Sequence, residues 1–134
     1  IDDHPEIEHW AIAGHSLGGV MAARYTSNNP GRIGGLALWA SYPEDGADLS
    51  TWTGETTSIY GTLDGLTTIG DVEDSRIRLP DSTAFVPIDG GNHAYFGWYG
   101  DQRGDNPATI TRGDQQRIII DATAHVLDQL AESR

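Results

Sequence analysis

Three residues of this 134-residue chain have the types for nucleophilic acyl transfer: Ser16, Asp64 and His93. A serine hydroxyl is a weak nucleophile. It needs a base to take its proton, and the base needs an acid to orient it. Ser16 lies in GHSLGG, residues 14–19, which fits G-x-S-x-G on Gly14, Ser16 and Gly18. A serine on a tight strand-to-helix turn holds a strained backbone, and bulky neighbours two residues away would clash there. Both glycines are therefore expected to be steric requirements. Such a turn lifts the hydroxyl above the C-terminal edge of a sheet, and the next helix points its positive end at it. The N–H of Leu17 is then placed to hold an oxyanion.

The acid is expected after a later strand, and the histidine in a loop after the last one. Asp64 follows the apolar run SIYG, and His93 follows AFVPI, giving the chain order serine, acid, histidine. Asp71 and Asp74 fall in a predicted helix, and Asp89 is close enough to His93 to shape its turn instead. His15 adjoins Ser16 but points the wrong way from an elbow to be its base. It is expected to pack locally, and is kept with the residues facing substrate. His125 lies in the last predicted helix, and His4 and His9 precede the elbow.

The elements that must position these groups alternate. HWAIAG (9–14) reads as a short buried strand. Leu17, Met21 and Tyr25, with Val20 beside them, mark one helix face up to about Asn28, where NNPG stops the helix. IGGLALWAS (33–41) is a second strand, and residues 42–54 are turn-rich, the one candidate for a lid. A third strand is expected within 56–65, a short helix over 67–79 and a fourth strand over 83–91. Pro87 puts that last strand at an edge or late in the sheet. Residues 94–110 read as an irregular loop. The last helix starts at Thr111 and Asp114 and should bury Ile118, Ala122, Val126 and Leu130. Strands alternating with helices imply a parallel α/β sheet in one domain.

Composition narrows the rest. Twenty acidic residues against eight basic ones, all arginine, give a net charge of −12. That charge repels nucleic acid and anionic membrane surfaces. It fits a solvated acidic surface, or adaptation to high salt. Cysteine is absent, which excludes disulfides and thiolate sites. No apolar run is long enough to span a membrane and no leader pattern is present. A soluble protein is expected, cytoplasmic or secreted. Ile1 rather than Met opens the chain, which is expected of a processed or partial sequence.

AGHSLGG, YGTLDGL and GGNHAYFGWYGDQRGDNPATI together resemble the serine-hydrolase members of the α/β-hydrolase superfamily, of dienelactone-hydrolase-like or esterase/lipase type. The resemblance runs from about residue 8 to the last helix. It implies Ser16 as nucleophile, Asp64 as acid, His93 as base and the Leu17 N–H as one oxyanion donor, without cofactor or metal. Dienelactone hydrolases proper use a cysteine nucleophile, which Ser16 replaces here. The superfamily's sheet has about eight strands. This chain resembles the last four, a C-terminal part of the catalytic domain (1–134). The upstream loop that supplies the second oxyanion N–H has no counterpart in it.

Two expectations follow. The elbow strand, central in the superfamily, becomes an open apolar edge, so the chain is completed by further strands, pairs with another chain or copy, or covers that edge itself. The expected activity is hydrolysis of small or medium acyl esters through an acyl-enzyme. A non-catalytic fragment or binding module is the alternative. Trp39, Tyr95 and Trp98, with His15, are expected to face substrate, unless they are ordinary packing. DQRGDNP (101–107) is expected to be a tight hydrogen-bonded loop rather than a calcium site.

Overall fold

The computed structural model describes residues 1–132. Four strands, β1 (Ala11–His15), β2 (Gly35–Trp39), β3 (Glu55–Gly61) and β4 (Ala84–Ile88), form one sheet in the order β1-β2-β3-β4. All three pairings are parallel, with Ala11 opposite Gly35, Gly35 opposite Glu55 and Thr57 opposite Ala84. β1 is an edge, as is β4, where Pro87 removes a donor at little cost.

Period-two alternation divides the core between the two faces of the sheet. Leu36 and Leu38 of β2 point to one face. There they pack with Ala22 and Ala23 of helix α1 (Leu17–Asn28) and with Ala47, Leu49 and Leu79. Ile59 of β3 and Ile88 of β4 point to the other, against Ile119 of helix α3 (Arg112–Glu132) and Phe96. Gly35 lets α3 approach closely, since a Cβ there would lie 2.7 Å from Val126 Cγ1. The 42–54 segment is not a lid. Ala47 and Leu49 are buried in the core, and the Leu49 N–H donates to Arg78 O.

Helix α1 corrects its expected face, and α3 keeps Val126 and Leu130 inward but corrects Ile118. In α1 the residues buried against the sheet are Gly19, Ala22, Ala23 and Thr26. Leu17, Met21 and Tyr25 face outward, with Leu17 70% exposed. The elbow brings the start of α1 so near β1 that only small residues fit between helix and sheet. In α3 the buried residues are Gln115, Ile119, Val126 and Leu130, while Ile118 is exposed. A strict four-residue repeat drifts around a helix of 3.6 residues per turn, so the true stripe mixes steps of three and four.

The expected short helix is α2 (Ile69–Ser75), continued by a 3-10 turn to Arg78. Thr68 caps it in a reciprocal box with Asp71. α3 begins where Thr111 and Asp114 exchange hydrogen bonds. The 94–110 stretch is irregular apart from a 3-10 turn at Ala94–Phe96.

Candidate active site

Ser16 lies between β1 and α1 with φ 53° and ψ −123°. Few residues with a Cβ adopt this region, and strain of this kind collects at functional turns. Two bonds hold it in place: the Ser16 N–H donates to Trp39 O at 3.0 Å, and Ser41 Oγ donates to Ser16 O at 2.7 Å. A Cβ on Gly14 would lie 2.3 Å from the backbone of Gly18, so Gly14 is sterically required. Gly18 is not: a Cβ there would meet no atom within 4 Å, because the position faces outward. Leu17 is the first helical residue, so its N–H has no acceptor within the helix.

Asp64 and His93 come together in the turns that follow β3 and β4. His93 Nδ1 lies 2.8 Å from Asp64 Oδ2, and both side chains are almost wholly buried. The other carboxylate oxygen accepts the N–H groups of Leu66 and Thr67 at 2.8 and 2.7 Å. A carboxylate that only accepts makes Nδ1 the protonated nitrogen, leaving the lone pair of Nε2 free. The Ser16 hydroxyl makes no hydrogen bond among the described residues. His93 is thus hydrogen-bonded to Asp64 and not to the Ser16 hydroxyl.

His15 lies beside this pair. Strand alternation sends its ring to the α3 face, where it packs 4.5 Å from the His93 ring and stacks on Phe96 and Tyr99. Its Nε2 is buried without a hydrogen-bond partner. Burial, and then the neighbouring His93, push its pKa from 6.5 down to about 4. A neutral ring is thereby kept against His93.

The aromatic residues are placed by packing. Trp39 Nε1 donates to Thr123 Oγ1 at 3.0 Å, and its ring joins the core beneath α3 rather than forming a wall. Tyr95 and Trp98 sit on the Arg112 guanidinium, at 4.3 and 5.1 Å from their ring centroids. Trp98 is 85% exposed. Arg112 also donates to the carbonyls of Ala94 and Gly97 and so ties this loop to α3. Tyr95 borders a cavity of about 250 Å³ with Asn92, Asp101 and Asp105.

Asp105 in the 101–107 loop is hydrogen-bonded through both carboxylate oxygens to backbone N–H groups. No cluster of three or more metal-ligating side chains occurs among the described residues. Ser41, Asn92 and Gln115 were not legible as supports in the sequence. Their partners are backbone groups distant in the chain, and no short pattern marks them.

The four parallel strands carry a strained serine after one strand and a buried Asp–His pair after two others. The chain belongs to the alpha/beta hydrolase family, whose model matches residues 1–117. Solved structures agree in fold. An alpha-beta serine hydrolase homologue from Coxiella burnetii is 18% identical with a TM-score of 0.62, covering 90% of this chain and 52% of its own. A protein of unknown function from Agrobacterium tumefaciens is 17% identical with a TM-score of 0.70, covering 98% and 56%. A monoacylglycerol lipase from Paleococcus ferrophilus is 13% identical with a TM-score of 0.61, covering 88% and 69%. The chain spans about half the length of the first two. No curated protein sequence matches it.

Proposed function

We propose that this chain carries the triad half of a serine hydrolase that cleaves carboxylic esters of small to medium acyl groups. The observation that carries the reading is the buried 2.8 Å contact between Asp64 and His93, with the ring set against the residue before Ser16. In the proposed cycle His93 Nε2 takes the Ser16 proton as Oγ attacks the ester carbonyl. Asp64 holds the ring tautomer and stabilises the cation. The Leu17 N–H supports the developing oxyanion. His93 then returns the proton to the leaving alcohol, and water releases the acyl group by the same route. A neutral His15 keeps a second cation away from His93 while it is charged. Hydrolysis of p-nitrophenyl acetate and butyrate, lost in Ser16→Ala, is the expected result. Equal rates in both proteins would overturn the reading.

The unpaired Ser16 hydroxyl and the open β1 edge favour a second reading, in which the site assembles only when further strands cover that edge. A missing oxyanion donor costs roughly 10²–10³ in turnover. A fluorophosphonate probe separates the two: labelling of Ser16 in the isolated chain supports an assembled site, and no labelling supports the second reading.

A further inference from the structure

We propose that Asp105 is a positioning residue that sets the alignment of Asp64 with His93. Its Oδ1 accepts the N–H of Gly65 at 3.1 Å and that of His93 at 3.2 Å. It also accepts the N–H of Asn106 at 2.9 Å, while Oδ2 accepts that of Ala94 at 2.9 Å. One carboxylate therefore holds the residue after the acid, the base itself and the residue after the base. These two turns follow different strands, and the sheet ladder ends before either. The Leu63 N–H to Gly91 O bond, at 2.9 Å, joins their starts, but the segments bearing Asp64 and His93 meet across Asp105.

The neighbouring side chains extend the same clamp. Asn106 Nδ2 donates to Leu63 O at 3.0 Å, on the other flank of Asp64. Asn92 Nδ2 donates to Asn106 O at 2.8 Å. Buried Gln115 then fixes Asn92 from α3, accepting its N–H at 3.1 Å and donating to its carbonyl at 2.8 Å. A loop that only needed to be packed would not require a carboxylate aimed at both turns.

The test follows the ring tautomer of His93, which reports its bond to Asp64 directly. Long-range 1H–15N correlation above the pH at which the ring ionises shows which nitrogen carries the proton. The full chain is compared with Asp105→Asn, which keeps one acceptor oxygen, and Asp105→Glu, which keeps the charge but not the reach. Each is first checked for folding by circular dichroism, and the Glu variant alone decides if the Asn variant does not fold. The expected result is an Nδ1-protonated ring in the unaltered chain and an admixture of the Nε2–H form in both variants. A ring that stays Nδ1-protonated in the variants, whatever their melting temperatures, would overturn the proposal, as would a change confined to Asn, which would mean charge and not alignment.

In the activity arm, which rests on the esterase reading, kcat falls about 10²-fold with little change in KM, the size expected for a misplacement near 1 Å. A tautomer change in a chain without ester turnover would sink the esterase reading and leave the positioning role intact. Turnover with no tautomer change would do the reverse.

Discussion

At the scale of the residue, the esterase reading depends on one proton being held in one place. Asp64 is buried, spends one oxygen on two backbone N–H groups and leaves the other for His93. Asp64→Asn keeps the shape but offers the ring a choice of tautomer. Under the esterase reading, kcat should fall about 10⁴-fold with the melting temperature nearly unchanged, measured with p-nitrophenyl butyrate. His15 gives a prediction independent of catalysis. Its folded pKa of about 4 lies below the ordinary 6.5, so between those values the unfolded chain binds more protons than the folded one. Stability therefore rises with pH through this window and is lost as pH falls from about 6.5 to about 4. His15→Phe should flatten that slope in urea titrations across the window. An unaltered slope would show that the buried ring is not its source.

At the scale of the element, the elbow trades apolar burial for closeness. Helix α1 meets the sheet through Gly19, Ala22 and Ala23, and turns Leu17, Met21 and Tyr25 outward. The two glycines of the pattern should consequently behave differently. Gly14→Ala forces a Cβ to 2.3 Å from the Gly18 backbone and should cost about 1–3 kcal/mol or prevent folding. Gly18→Ala meets nothing and should stabilise the helix by up to about 1 kcal/mol. Thermal melts of the two variants, side by side, check the contrast. Equal losses would mean that the helix start is confined at both positions.

At the scale of the whole molecule, two features act together: a net charge of −12 and an open strand edge. An apolar open strand edge of this kind favours pairing. Self-association is therefore expected, and light scattering that shows a stable monomer would overturn it. Charge repulsion opposes both folding and pairing, and salt screens it, the Debye length falling to about 3 Å at 1 M. If the acidic surface is a salt adaptation, the melting temperature should rise between salt-free buffer and about 2 M salt. No rise would leave the charge as ordinary surface solvation.

What the sequence determined by itself was the set of local events. GHSLGG defines an elbow because backbone strain and crowding act within a few residues, and the four strands and three helices are legible because burial imposes periods of two and 3.6. Asp64 and His93 could be chosen because each follows an apolar run in the order such a site requires. Tertiary structure decided whatever depends on approach between distant segments. It made α1 bury its small residues instead of its large ones, since helix–sheet distance is not a property of either segment alone. It turned Trp39 into the core and left Trp98 on Arg112, since a side chain's direction is set by the neighbour it packs on. It brought Asp105 onto the turns bearing Asp64 and His93, because backbone N–H groups from two separate stretches of chain share one carboxylate only after the sheet has aligned them.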